Sequence, residues 1–202
     1  GFLKTADLTD ALGNGTRIST HSYGPVIETN VNGSEFGAYK SDSAAWDQAA
    51  AAGDLVVVFA AGNERQDGDG TAHGGDLYDC IDYLSGSKNT VDVGSVGTGA
   101  HAADADEGTA AAGELTFFSS YGPMDDNRIK PDLVAGGVGL TLTPGTAGVQ
   151  VSTGTSFSSP AVAGMIALLF QKYAAKVGGE PSAALTKALL LTNASDLEAT
   201  GP

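Results

Sequence analysis

Apolar residues along this chain fall in short runs separated by polar, glycine-rich stretches, the pattern of strands and helices joined by long loops. Arg17-Ile18-Ser19-Thr20-His21-Ser22 alternates β-branched and polar positions and stops at Tyr23-Gly24-Pro25, which predicts a strand ending in a turn. A helix follows: Ser41-Asp42-Ser43 offers N-cap oxygens, Trp46, Ala49 and Ala50 recur on one face, and Gly53 stands where a left-handed C-cap is needed. Leu55-Val56-Val57-Val58-Phe59-Ala60-Ala61 is a continuous apolar run of strand length, as expected when helices cover both faces of a sheet. Strand, helix and strand in this order predict a right-handed parallel crossover.

Residues 64–89 and 99–114 read as two long polar loops, with a strand from Thr90 to Val96 between them. Leu115 to Ser119, Leu133 to Ala135 and Leu140 to Thr143 are short strand candidates. Ala161-Val162-Ala163-Gly164-Met165-Ile166-Ala167-Leu168-Leu169-Phe170 is apolar on every side, which predicts a helix buried through the core. Gly178-Gly179 ends it, and Pro181-Ser182 opens another helix with Leu185, Leu189 and Thr192 at helical spacing.

Composition narrows the class. With 42% hydrophobic and 17% charged residues, the chain has the apolar surface for a core, and 202 residues make one domain or a large piece of one. Its 10 Lys+Arg against 24 Asp+Glu give a net charge of −14, which repels phosphates and anionic lipid and excludes nucleic acid and membrane surfaces as partners. No apolar run approaches the ~18–20 residues that span a bilayer, and Gly1-Phe2-Leu3-Lys4 does not open a signal peptide. Cys80 is the single cysteine, so no disulfide forms within the chain. Asn-x-Ser/Thr triplets at Asn14, Asn32 and Asn193 could accept glycans on a secretory route.

In open parallel sheets ligands sit beyond the carboxyl ends of the strands, which points to Ser22-Tyr23-Gly24 and Gly62-Asn63-Glu64. A third polar feature, Gly154-Thr155-Ser156-Phe157-Ser158-Ser159-Pro160, stands just before the buried helix, where unpaired N–H groups and the helix dipole favour a nearby anion. Ser156 there is either an N-cap or a nucleophile. Gly94-Ser95-Val96-Gly97-Thr98-Gly99 lacks the Gly-x-Gly-x-x-Gly order of a dinucleotide site, which argues against phosphate binding.

Gly154-Thr155-Ser156, Pro160 and Ala161-Val162-Ala163-Gly164 together resemble the nucleophile motif of the subtilisin-like serine proteases. Ala60-Ala61-Gly62-Asn63-Glu64 resembles that family's oxyanion-hole segment, and Ser22-Tyr23-Gly24 its substrate-pairing edge. Phe118 to Pro123 and Arg128 to Leu133 resemble its scaffold stretch ahead of the nucleophile, although Ala135-Gly136-Gly137 stands where the family has alanine-proline-glycine. The resemblance spans roughly residues 15–195. It implies an α/β three-layer sandwich with a mostly parallel sheet and a buried central helix, its N-terminal part absent, so that residues 1–202 form a partial catalytic domain.

The implied activity is a secreted serine endopeptidase acting on polypeptides, with Ser156 as nucleophile and Asn63 as oxyanion donor. Ser22, Tyr23, Gly24, Ala61, Gly62, Glu64, Gly154 and Thr155 would then contact substrate. Glu64 either favours a basic side chain in the pocket before the cut or stands as a solvated loop carboxylate. No cofactor is implied for the chemistry, and calcium is raised only as a structural ion, with Asp67-Gly68-Asp69-Gly70 and then Asp104 and Asp106 as candidate loops. The family's Asp-Ser/Thr-Gly and His-Gly-Thr-His motifs have no counterpart. His21, His73 and His101 all stand in other contexts, so the catalytic His and Asp are expected from an upstream segment. The alternatives are a catalytically inactive, protease-like peptide-binding module and, more remotely, the nucleotide-binding domain that the glycine cluster argues against.

Overall fold

The computed structural model describes residues 5–25, 36–65, 79–98, 112–142 and 149–197. Four parallel strands form the central sheet in the order β1-β2-β3-β4: β1 (Ile18–His21), β2 (Val56–Ala60), β3 (Val91–Val96) and β4 (Leu133–Gly136). Register runs Ile18 to Val56 and His21 to Phe59, then Val58 to Val91, then Val93 to Leu133. Two further strands, β5 (Val138–Leu142) and β6 (Val149–Thr153), form a separate antiparallel pair. The helices among the described residues are α1 (Thr5–Gly13), α2 (Ser41–Gly53), α3 (Thr155–Val177) and α4 (Ala183–Asn193).

Side chains alternate across the pleat, and the two faces of β2 belong to two cores. Val56 and Val58 join Val91 and Val93 against Val162, Ile166 and Phe170 of α3 and Leu190 of α4. Leu55, Val57 and Phe59 point the other way, against Trp46 and Ala50 of α2 and Leu84. This is why the 55–61 run has no polar position: every residue of β2 is buried. The result is the expected three-layer α/β sandwich. Lys187 of α4 adds a polar anchor, with Nζ 3.0 Å from Asp132 Oδ1 and donating to the Thr90 carbonyl at 2.7 Å.

Several boundaries differ from the sequence pattern for local reasons. The N-cap of α2 is Lys40, and Ser43 Oγ accepts the Lys40 N–H at 3.0 Å. The left-handed residue at its other end is Asp54 (φ 49°), held there by Arg17 at 2.8 Å and by the Ala183 N–H. Gly53 is instead a place of close approach, since a Cβ there would meet Leu12 Cδ2 at 2.6 Å. Leu115 makes one antiparallel bridge with Val96 and no strand, and Gly94 to Val96, the first half of the glycine cluster, lie inside β3 and are sheet. Helix α3 starts at Thr155, ahead of the apolar run. It buries Val162, Ile166 and Phe170, whereas Met165 (49%) and Leu168 (67%) are open on its outer side among the described residues. The expected buried helix is therefore buried along one face.

Ile166 is fully buried between α3 and the sheet. Ile166→Ala is expected to cost about 2–5 kcal/mol and Ile166→Val about 0.5–1.5 kcal/mol. Urea unfolding measures both; equal midpoints for the two variants would contradict this packing.

Candidate active site

Strands β1 and β2 end side by side, His21 opposite Phe59, so Ser22-Tyr23-Gly24 and Gly62-Asn63-Glu64 leave the sheet at the same edge. The first turn of α3 is tied to this edge by its own hydroxyls. Ser159 Oγ lies 2.8 Å from Thr20 Oγ1, and Ser158 Oγ donates to the Ala135 carbonyl at 3.1 Å. Pro160 has no N–H, so the Ser156 carbonyl lacks the bond it would normally receive four residues on. The Ser22 hydroxyl fills that place at 2.9 Å.

Thr155 and Asn63 are coupled more tightly. The Thr155 N–H donates to Asn63 Oδ1 at 2.9 Å, Thr155 Oγ1 donates to the same oxygen at 3.1 Å, and the Gly62 N–H donates to Thr155 Oγ1 at 3.2 Å. A backbone N–H can only donate, so the oxygen end of the Asn63 amide must face the helix and its Nδ2 must face away. Among the described residues no acceptor takes the Nδ2 hydrogens, and none takes the Ser156 N–H. Both groups lie beside Gly154: a Cβ placed there would be 3.7 Å from Asn63 Nδ2, 3.7 Å from Asn63 Oδ1 and 3.8 Å from Ser156 N. Glycine at 154, with φ +153°, leaves that space open.

Ser22, Tyr23, Gly24, Gly62, Asn63, Glu64, Thr155 and Ser156 line one cleft of about 380 Å³, joined by Pro25, Ala60 and Asp82. Two expected contact residues lie off its wall. Ala61 is fully buried beside Ile81 and Met124, because its amide continues the sheet by donating to Val93 at 3.0 Å. Gly154 is buried and does not line the cleft. Asp82 carried no local motif; its only signal was Ser85 three residues on, the spacing of a side-chain turn.

A family model described as "Subtilase family" matches residues 2–202. The chain belongs to the subtilase family. Pyrolysin from Pyrococcus furiosus is 44% identical over 57 residues, 27% of this chain and 4% of pyrolysin. C5a peptidase from Streptococcus pyogenes is 38% identical over 65 residues, 32% of this chain and 6% of that protein. The matched segments are thus small parts of far longer curated relatives. Among solved structures, the patellamide maturation protease PatA aligns over 96% of this chain and 59% of its own (TM-score 0.64, 22% identity). A lanthipeptide protease aligns over 98% and 59% (TM-score 0.65, 23% identity), so the parallel-sheet fold is shared.

In this subtilase chain His21 is not placed to serve Ser156. Its ring stacks on Phe59 at 4.9 Å and meets Trp46 edge-on, with Nε2 2.5 Å from Ser19 Oγ and Nδ1 2.8 Å from Tyr23 Oη. Burial pushes its pKa down to about 4. His73, His101 and both candidate calcium loops lie outside the described residues, and among those described no three His, Cys, Asp or Glu side chains gather as a metal site. No described helix is long and apolar enough to cross a membrane.

The His21 ring gives a pH signature. Its folded pKa lies below the ordinary 6.5, so the unfolded chain takes up the proton first as pH falls. Its stabilising contribution is full above 6.5 and is lost between 6.5 and about 4. Asp82, pushed up to about 6 by burial, acts in the opposite sense, gaining stability as pH falls through that value. Comparison with His21→Phe isolates the histidine: from about pH 7.5 to pH 4 the wild type should lose about 3 kcal/mol more than the variant. Parallel pH curves in denaturant titrations would contradict a buried neutral ring.

Proposed function

We propose that the chain provides the nucleophile and oxyanion donors of a serine endopeptidase that hydrolyses polypeptides. The observation that carries this reading is the Thr155 N–H bond to Asn63 Oδ1, which turns Asn63 Nδ2 away from the helix in a cleft that Asn63 and Ser156 both line. An extended peptide would lie along Ser22 to Gly24 as an added strand. Ser156 Oγ attacks the scissile carbonyl carbon while its proton passes to a base; the carbonyl oxygen becomes anionic and is held by Asn63 Nδ2 and the Ser156 amide. Collapse of that intermediate expels the amine, which takes the proton back, and water then releases the acyl group by the same route in reverse.

The base and the carboxylate that orients it are assigned to an upstream segment, since neither family motif is in this sequence and His21 is committed to the core. The same observation supports the second reading, a peptide-binding module that does not cut. Secretion is proposed with the first reading, and it agrees with the three glycosylation triplets.

A serine-directed phosphonate applied to the intact protein carrying this chain decides between the two. Labelling and casein cleavage, both abolished by Ser156→Ala, support hydrolysis; an intact protein that is inert to both supports the binding module. Asn63→Leu is expected to lower turnover by about 10²–10³, a magnitude carried over from another member of this family. A turnover within a few-fold of wild type would remove Asn63 from the mechanism.

A further inference from the structure

The cleft has a carboxylate floor that the proposed chemistry does not use. Asp82 is 6% exposed yet lines the cleft. Its Oδ1 accepts the Leu84 N–H at 2.6 Å and the Ser85 N–H at 3.1 Å, which fixes the side chain in a turn. Its Oδ2 is less well satisfied. The Ser85 hydroxyl lies 3.0 Å from Oδ2 and 2.9 Å from the Ala60 carbonyl, and one hydrogen can serve only one of them at a time.

That same Oδ2 looks towards Gly24, where a Cβ would stand 2.6 Å from it. No lysine or arginine among the described residues pairs with Asp82. Glu64 lines the same cleft; its Oε2 takes the space that a Gly62 Cβ would need and accepts the Ser120 hydroxyl at 3.1 Å. Two carboxylates therefore line one small cleft, each packed so close to a glycine that a side chain there would displace it.

We propose that Asp82, with Glu64 in the same cleft, selects arginine or lysine as the residue whose carbonyl is attacked. This rests on the catalytic reading of Ser156 and gives it a substrate class. A carbonyl carbon held at Ser156 has its own residue's Cβ two bonds away, so that side chain is the one that enters the cleft. A guanidinium or ammonium reaching Asp82 meets an oxygen with spare acceptor capacity, already dehydrated in the folded chain and oriented by two backbone amides. Burial and the nearby Glu64 hold the free carboxyl pKa up to about 6, and Asp92 also interacts with it through charge, so the cation preference weakens as pH falls through that range.

The test reads binding and cleavage separately. Calorimetry at about pH 8 compares agmatine with its uncharged ureido isostere on the intact protein, on Ser156→Ala, on Asp82→Asn and Asp82→Ser, and on Ser85→Ala. Peptides that differ only by arginine or citrulline before the cut are compared by kcat/KM. The expected preference for the charged form is about ten- to hundredfold, the range of hydrogen bonds to charged groups. It should persist in Ser156→Ala and in Ser85→Ala, which removes a bond to the turn but no charge, and should vanish in both Asp82 variants. A wild-type ratio near one, or a ratio that survives loss of the Asp82 charge, overturns the assignment. Agmatine discrimination with no cleavage of any peptide leaves the pocket assignment standing and sinks the catalytic reading; cleavage without arginine preference does the reverse.

Discussion

The site depends on one shared acceptor. Asn63 Oδ1 takes both hydrogens that Thr155 offers, from its backbone and from its hydroxyl, and Thr155 Oγ1 in turn takes the Gly62 N–H. Three bonds of roughly 1 kcal/mol each would not set the stability of a domain. Their effect is directional: they lock the end of β2 to the start of α3 and leave the Asn63 amide a single orientation, nitrogen towards the cleft. The same amide, rotated by half a turn, would present an acceptor to any developing oxyanion and oppose the chemistry.

Around that lock the sheet and helix supply rigidity. The first turn of α3 bears Ser158 and Ser159, both buried, whose hydroxyls reach β4 and β1. Further along, Val162, Ile166 and Phe170 seat the helix on the apolar face of β2 and β3. A hydroxyl on the second residue of such a helix is held by a whole packed layer and not by a loop. Pro160 has a related role, because it frees the Ser156 carbonyl for Ser22 and so ties the β1 edge to the same turn. Cleft wall, Ser156 and Asn63 thus belong to one packed unit.

Much of this was legible in the sequence because burial leaves a periodic record. The unbroken apolar run of β2, the alternation in β1 and the glycine pair ending α3 correspond to observed elements. Where local chemistry competed with packing, the pattern misled. Gly154 to Pro160 read as a polar feature ahead of the buried helix, yet Thr155 onward is helical, with the Ser158 and Ser159 hydroxyls bonded to β4 and β1. Asp54 adopts the left-handed conformation that Gly53 was expected to hold, since Arg17 and Ala183 fasten its carboxylate. Helix α1 was not foreseen at all, having a single short face against α2. Of the site, the motif residues were legible; Asp82 was not, because a residue brought to a cleft by a loop has no period and no motif. Ala61 belongs to the motif, but its side chain is buried and off the cleft wall, since a motif does not say which way a strand residue faces.

The most direct measurement is a crystal structure of the phosphonate adduct of the intact protein. The account predicts phosphorus bonded to Ser156 Oγ, with the phosphoryl oxygen about 2.7–3.1 Å from both Asn63 Nδ2 and the Ser156 nitrogen. A phosphoryl oxygen turned away from Asn63, or an Asn63 amide released from Thr155, would contradict it.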